Sequence, residues 1–169
     1  MEFVFIKLGE TCSIQVLIDF FLSHGLTEYN YIESKTYLQE HLEKISTGKV
    51  HGWGAFNETS NELVGIITAI SGGQYRLNSH PQQVFEIIEF VVHREYRGLG
   101  IGKHLAKIAK NDIFQENSET QTIYVMLHAN NKASFKAFHH SGWREVITFD
   151  DKLRKRETTV LAVNRHLLK

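Results

Sequence analysis

Two residue types that often constrain a fold are almost missing from this sequence: Cys12 is its only cysteine and Pro81 its only proline. A single cysteine excludes an internal disulfide and a cysteine-based metal cluster. Cys12 lies beside a helical pattern of apolar residues, so we expect a buried, inert thiol. We also expect no metal site from His139–His140, because adjacent residues of a helix do not face one site.

Long uncharged apolar runs are missing as well. No such run reaches the roughly 18 residues that a membrane-spanning helix needs. Glu2, Glu10 and Asp19 interrupt the amino-terminal region, which therefore does not have the pattern of a signal peptide. We expect a soluble, cytoplasmic protein without a membrane partner.

Neither sign of charge is in excess, since 19 Lys and Arg residues balance 19 Asp and Glu residues. This balance does not indicate nucleic acid as a partner, although it is compatible with a local basic patch. The composition suffices for a packed core, because 42% of the residues are hydrophobic and 11% are aromatic. The length of 169 residues fits one domain over residues 1–169.

Periodicity predicts strands that alternate with helices. Apolar runs and alternations predict seven strands, over residues 1–8, 51–56, 63–70, 84–92, 122–127, 143–149 and 158–163. Helical spacing predicts a helix from residue 14 to a stop at Gly25, a second over 34–47, a third after residue 100, and a short fourth between Asn131 and Gly142. The strand over 84–92 is apolar almost throughout, so we expect it to be central and covered on both faces.

The most informative stretch, residues 97–103 (RGLGIGK), joins that strand to the third helix. Such an arrangement binds phosphate, because glycine lets the backbone approach closely and free amides at a helix start face the anion. A dinucleotide-binding G-x-G-x-x-G does not fit, since Lys103 occupies its last position. A P-loop does not fit either, since Arg97 and His104 stand where it needs Gly and Ser or Thr. The pattern that fits is R-x-x-G-x-G.

This pattern resembles the acyl-CoA loop of the GCN5-related N-acetyltransferase (GNAT) superfamily. The predicted order β-α-α-β-β-β-α-β-α-β-β is also that of the superfamily, and the resemblance is strong from Glu86 to Trp143. It implies an α/β (α+β) fold. The expected sheet has about seven mostly antiparallel strands, is splayed between strands four and five, and is flanked by about four helices.

The resemblance implies acetyl-CoA as the co-substrate, with its pyrophosphate on the backbone amides of residues 98–103. A second segment, from Asn131 to Trp143, resembles the superfamily signature N-x-x-A-x-x-L-Y-x-x-x-G-F. Asn131, or Asn130 as a one-residue shift, would contact the CoA arm, although an N-capped helix with a glycine stop explains the segment without a ligand. The implied CoA-binding residues are Val91, Val92, Arg97, Gly98, Leu99, Gly100, Ile101, Gly102, Lys103, Asn130, Asn131, Ser134 and Phe138.

The sequence departs from this signature at Phe138, where the superfamily often has a tyrosine that protonates the departing thiolate. Phenylalanine has no proton to give. His128, His139, a tyrosine elsewhere and water remain as alternatives for this role, and a thiolate is also a tolerable leaving group without a dedicated acid.

Glu86 and Glu89 lie in the otherwise apolar strand before the glycine loop, where the superfamily often has a glutamate. A carboxylate there is costly unless it is solvated in a cleft or paired. Either residue is therefore a candidate catalytic base, and a partnered structural glutamate is the alternative. They are three positions apart, so a regular strand directs them to opposite faces unless a bulge changes the parity.

The implied activity is transfer of an acetyl group from acetyl-CoA to a primary amine of a small molecule or peptide by direct attack. We expect the acceptor pocket at residues 25–31, 71–83 and 143–149, with Tyr29, Tyr31, Tyr75 and Trp143 as candidates. Two alternatives stay open: a CoA-binding sensor or scaffold without chemistry, and an acetyltransferase of proteins or aminoacyl-tRNA. Exposed final strands are compatible with a homodimer.

Overall fold

The computed structural model describes residues 2–9, 13–24, 40, 43–45, 47–72, 83–152 and 156–168. Three sequence-based predictions fall largely or wholly on other residues. They are the helix over 34–47, the buried thiol at Cys12, and the acceptor segments around Tyr29, Tyr31 and Tyr75. These predictions lie outside the described residues.

Seven strands form one mixed sheet, as predicted. They are β1 (Phe3–Leu8), β2 (His51–Asn57), β3 (Leu63–Ser71), β4 (Val84–Val92), β5 (Thr122–His128), β6 (Arg144–Asp151) and β7 (Arg156–Asn164). Their order across the sheet is β1-β2-β3-β4-β5-β7-β6. All neighbours are antiparallel except β4 and β5, which are parallel. β6 and β7 are longer than predicted, because their pairing continues to Asp151 opposite Arg156.

The described α-helices are α1 (Ile14–His24), α2 (Ile101–Glu116) and α3 (Lys132–His139). Residues of α2 and α3 pack with one side of the sheet, which we call the front face, around Trp53, Phe85 and Leu161. Residues of α1 pack on the other side, the rear face, with Ile66 and Leu63. No helix among the described residues is long and apolar enough to cross a membrane.

Helix α2 is fixed at its middle and at its carboxyl end. The indole Nε1 of Trp53 on β2 donates a hydrogen bond to Oδ2 of Asp112, at 2.7 Å. Arg165, which follows β7, donates to the carbonyl oxygens of Phe114 and Asn117, both at 2.7 Å, and of Thr120 at 2.6 Å. These bonds satisfy carbonyls that a helix end leaves without intrahelical donors. The carboxyl half of α2 is thereby tied to the sheet.

The parallel pair of β4 and β5 separates halfway along its length. Pairing runs only from Val84 opposite Thr122 to Ile87 opposite Val125, although both strands continue further. The result is a gap in the sheet, which is the predicted splay. Coverage of β4 follows the same division, since residues 84–87 are buried and residues 88–92 are half-buried. The second half of β4 still packs on both faces, with Phe90 and Val92 against the front core and Ile88 and Val91 against the rear core, as predicted for a central strand. It is less completely buried than the first half, because β5 no longer lies along its edge.

Candidate active site

The end of β4 leads into α2 through a turn of 3-10 helix, Arg94–Tyr96, and the glycine loop. Gly98 and Gly100 have φ angles of +83° and +86°, a backbone region that costs other residues roughly 1–2 kcal/mol. The amide of His104 donates to the Gly100 carbonyl at 3.1 Å and is the first to make an intrahelical bond. The amides of residues 101–103 therefore point out of the helix start, as an anion site requires.

Gly102 lets three elements meet closely. A Cβ atom on this residue would lie 2.9 Å from Cζ of Phe90 on β4 and 3.5 Å from Cβ of Ala137 on α3. The first distance is shorter than real Cβ contacts, so a side chain here would require either the Phe90 ring or α2 to move. The glycine thus positions the start of α2 against the open half of β4.

A cleft of about 330 Å³ lies where these elements meet. Most of the residues implied by the family resemblance line it: Val91, Val92, Arg97, Gly98, Gly100, Ile101, Gly102, Lys103, Asn131 and Ser134. The cleft is also lined by residues that the sequence analysis did not name as CoA-binding: His24, Phe90, Tyr96, Ala133, Lys136, Ala137 and His140. Most of these additional residues lie within six positions of a residue that the sequence analysis named, and only His24, on α1, is brought to the cleft by tertiary packing alone.

Leu99, Asn130 and Phe138 do not line the cleft. The Leu99 side chain is 54% exposed, and Phe138 is fully buried. Phe138 packs between Phe90 and Trp143, with ring centroids 4.9 Å from each. Trp143, which was a candidate for the acceptor pocket, is therefore part of the front core and fully buried.

The helix-capping interpretation of the Asn130–Asn131 pair holds for one of the two residues. The side chain of Asn131 accepts a hydrogen bond from the Ser134 amide at 3.2 Å and caps α3. Asn130 is exposed and precedes the cap. Asn131 thus has a structural role and also lines the cleft.

The cleft is basic. Its lining includes Arg97, Lys103 and Lys136 and the imidazoles of His24 and His140, whereas none of the described residues that line it is Asp or Glu. Burial lowers the pKa of His24, and the neighbouring His93 lowers it further. The centroids of these two imidazole rings are 3.8 Å apart. The fixed positive charge in the cleft therefore comes from the lysines and Arg97.

One backbone amide of β4 faces the gap. The amide of His93 donates to the Val64 carbonyl on β3 at 2.9 Å. Because the backbone groups of successive strand residues point to opposite sides, the N–H and C=O of Val92 face away from β3. The Val92 carbonyl accepts a hydrogen bond from Nε of Arg97 at 3.0 Å. The Val92 amide thus points into the space that β5 vacates.

Glu86 and Glu89 lie on the same face of the sheet, contrary to the expectation for a regular strand. The register between β3 and β4 shifts so that Thr68 is opposite Glu89 and Ala69 is opposite Ile87, which leaves Ile88 as an extra residue. Ile87 and Phe90 consequently both pack in the front core, and Ile88 and Val91 pack in the rear core. This bulge changes the parity and places both carboxyl groups on the rear face.

The two carboxyl groups have different surroundings. Glu86 is only 3% exposed, and the hydroxyl of Tyr124 on β5 donates to its Oε2 at 2.9 Å. Glu89 is half-buried beside the gap, and burial raises its pKa to about 7 from an ordinary value of 4.5. Glu89 can therefore exchange a proton near neutral pH, as a general base must.

Phe138 cannot protonate the departing thiolate, and the other side chains proposed for that role mostly have hydrogen-bond partners of their own. Nε2 of His139 lies 3.3 Å from Oε1 of Glu145, and the hydroxyl of Tyr96 donates to Oε2 of Glu62 at 3.0 Å. Nδ1 of His128 accepts from the Asn130 amide at 3.1 Å, which leaves its proton on Nε2.

Among the described residues, no group of three or more His, Cys, Asp or Glu side chains could hold a metal ion.

Residues 17–143 match the family model described as "Acetyltransferase (GNAT) family". No curated protein has significant sequence similarity to the chain.

Solved structures with the same fold cover nearly the whole chain. The ribosomal-protein-S5-alanine acetyltransferase of Vibrio fischeri is 12% identical, with a TM-score of 0.77 over 99% of this chain and 95% of that one. A GNAT-family acetyltransferase of Bacillus anthracis is 15% identical, with a TM-score of 0.73 over 98% and 96%. The aminoglycoside acetyltransferase AAC(6')-Ib, solved with coenzyme A and kanamycin, is 14% identical, with a TM-score of 0.69 over 98% and 96%. The same enzyme has been solved with acetyl-CoA.

Proposed function

This chain belongs to the acetyltransferase (GNAT) family, and from that premise we propose that it transfers an acetyl group from acetyl-CoA to a primary amine of a small molecule or peptide. The observation that carries this proposal is the position of the basic cleft. It connects the outward-pointing amides at the start of α2 with the gap between β4 and β5.

In this proposal the pyrophosphate of acetyl-CoA binds the amides of residues 101–103, where the dipole of α2 favours negative charge. Arg97 adds a positive charge at the same end of the cleft. The pantetheine arm then follows the open edge of β4 past Val92, as an added strand would. The thioester reaches the gap, where it is accessible from the rear face.

The reaction is a direct attack of the amine on the thioester carbonyl, without a covalent enzyme intermediate. The Val92 N–H, which faces the gap, stabilises the oxyanion that forms on the carbonyl oxygen. Glu89 accepts the proton that the amine loses, since an ammonium ion has no lone pair with which to attack. Collapse of the intermediate breaks the C–S bond and releases coenzyme A as a thiolate.

Glu89 is the better base of the two glutamates. The pKa of its carboxyl group is about 7, and it lies in the half-buried part of β4 that borders the gap. Glu86 lies in the paired part, is buried, and is bonded to Tyr124. We assign Glu86 a structural role and Glu89 the catalytic one.

Water protonates the thiolate in this mechanism. Phe138 has no proton to give and is buried in the front core. A thiolate is a tolerable leaving group, so the reaction does not depend on a side-chain acid.

The acceptor class is proposed only as a primary amine. One related structure contains an aminoglycoside, and another belongs to an enzyme named for a ribosomal-protein alanine. The experiment is a thiol-release assay with acetyl-CoA and a panel of aminoglycosides, aliphatic and aromatic amines, and peptides with free amino termini. Release of coenzyme A with acetylation of one class, seen by mass spectrometry, supports the proposal. Absence of coenzyme A binding by calorimetry contradicts it.

A second candidate function is a CoA-binding sensor or scaffold, which the phenylalanine at position 138 favours. Calorimetry and the thiol-release assay together separate it from the enzyme. A sensor binds coenzyme A in the calorimeter but releases no thiol with any acceptor, whereas the enzyme does both.

A further inference from the structure

The rear face of the sheet carries a third apolar cluster, on the β5 side of the gap. Its members are Val84, Tyr124, Val160 and Ala162, with Met126 and Phe149 packed against them. All of them lie on strands, so among the described residues no helix contributes to this cluster. Helix α1 packs on the β3 side of the gap instead. The apolar surface that borders the gap at the rear therefore belongs to β5 and its neighbours β7 and β6.

Met126 and Glu89 border the gap from opposite sides. Pairing of β4 with β5 ends just after the rear-facing pair of Glu86 and Tyr124. Met126 is the next rear-facing residue of β5, because the residues on either side of it pack in the front core. Glu89 follows on the rear face of β4, after the bulge. A molecule that enters the gap from the rear therefore has a carboxyl group on one side and an apolar thioether side chain on the other.

The charge on this side of the molecule suits a single amino group. Within the part of the chain that the structure describes, the Glu89 carboxyl group has no hydrogen-bond or ion-pair partner. Of the described residues that face the rear on β5, β6 and β7, only Asp151 is acidic, and it is buried opposite Arg156. Arg144 faces the rear as well, opposite Ala162. An acceptor with several ammonium groups would thus find one available carboxylate and would face an arginine.

We propose that Met126 and Phe149 form an apolar wall of the acceptor site and select a primary amine whose carbon skeleton is apolar, such as an arylalkylamine. This inference rests on the proposed function, because the amine must reach the thioester through the gap. The amino group lies at Glu89, and the apolar body packs on the thioether and the aromatic ring, which removes apolar surface from water. A polycationic aminoglycoside is disfavoured, because it would place ammonium groups against the apolar wall without counter-ions.

The test compares acceptors that differ in one group, with saturating acetyl-CoA and thiol release as the measurement. The pairs are 2-phenylethylamine with ethanolamine and phenylalanine amide with serine amide, and kanamycin represents the polycations. We expect kcat/KM to be about tenfold to a hundredfold higher for the aromatic member of each pair, the range for burial of one apolar group. Kanamycin should be the poorest acceptor.

The variant Met126→Gln should bring the ratio of kcat/KM within each pair close to one, whereas Met126→Leu, which keeps the wall apolar, should retain the ratio. The matched control is Val146→Gln. It makes an apolar-to-polar change at an exposed position of β6 outside the cluster, and it should retain the ratio as well. Calorimetry with coenzyme A checks that each variant is folded.

If ethanolamine, serine amide or kanamycin is acetylated as efficiently as the aromatic amines, this inference is overturned and the proposed function stands. A ratio in Met126→Gln equal to that of the wild type overturns it too, because Met126 then does not contact the acceptor. If coenzyme A binds and no acceptor supports thiol release, the acetyltransferase reaction fails and the apolar acceptor fails with it.

Discussion

The paired and the open halves of β4 show how one strand produces two kinds of glutamate. In the paired half, Glu86 is buried between β3 and β5 and accepts a hydrogen bond from Tyr124. In the open half, Glu89 lies beside a gap and has a pKa of about 7. The residue type, the strand and the face are the same. The neighbouring strand β5 supplies Tyr124 as a hydrogen-bond donor to Glu86 and is absent beside Glu89. The raised pKa of Glu89 has a separate cause, which is burial of its carboxyl group.

Replacement of Glu89 by Gln should have the largest effect. It removes the proposed base and keeps the shape of the side chain, so kcat should fall about 100- to 10,000-fold. The affinity for coenzyme A should stay the same, because Glu89 does not line the cleft. Steady-state kinetics and calorimetry measure the two quantities. Glu86→Gln is the comparison variant, and an equal fall of kcat in both variants would contradict the assignment of separate roles.

The pH dependence of kcat/KM should give the second largest effect, because kcat/KM reports the pKa values of the unliganded enzyme. Glu89 accepts a proton only as a carboxylate, and its pKa is about 7, so kcat/KM should rise with pH up to about that value. Below it, each pH unit should lower kcat/KM about tenfold. A pH–rate profile with acetyl-CoA measures this limb. This rise of the rate with pH should be absent from the residual activity of the Glu89→Gln variant. If the rise persists in the variant, a group other than Glu89 causes it.

Tyr124→Phe tests the paired half. This change removes the donor to Glu86 and leaves a buried carboxyl group without that hydrogen bond, so the free energy of unfolding should fall by about 1–3 kcal/mol. Urea denaturation followed by circular dichroism measures it. Tyr96→Phe is a matched control, because its hydroxyl donates to the exposed Glu62. If Tyr96→Phe lowers the free energy of unfolding as much as Tyr124→Phe does, burial of the Glu86 carboxyl group is not the cause of the destabilisation.

Stability as a function of pH should show the smallest effect. The folded protein favours protonated Glu89, so this contribution to stability is complete below pH 4.5 and is lost as the pH rises through about 7. The Glu89→Gln variant lacks this loss. Its free energy of unfolding relative to the wild type should increase by on the order of 1 kcal/mol between pH 4.5 and pH 7.5, since a half-buried group retains some solvation. Urea denaturation at the two pH values measures the increase, and a constant difference would contradict it.

The strands and the glycine loop could be predicted because their signals are local. The apolar run over residues 84–92 and the glycines that follow it determine strand, turn and helix within about 20 residues. The bulge at Ile88 could not be predicted. Residues of β4 are apolar on both faces, so alternation carries no information about which face a given residue occupies.

The contacts that the site residues make with distant parts of the chain could not be predicted from the sequence either. Tyr124 is 38 positions from Glu86, and its hydroxyl reaches that carboxylate only because β4 and β5 pair in one register. Lys136 and His140 belong to the cleft because α3 packs against Gly102. Local spacing could show that these two residues share a side of a helix, and it could not show what that side faces.

The hydrogen bonds from Arg165 to the far end of α2 have a practical consequence. The Arg165 guanidinium neutralises the partial negative charge at the carboxyl end of α2. The partial positive charge at the amino end, beside Gly100, has no such compensation. An unliganded molecule therefore offers this pole to any small oxyanion in solution. Phosphate- or sulfate-buffered assays should compete with the cofactor and understate its affinity, whereas a zwitterionic buffer should not.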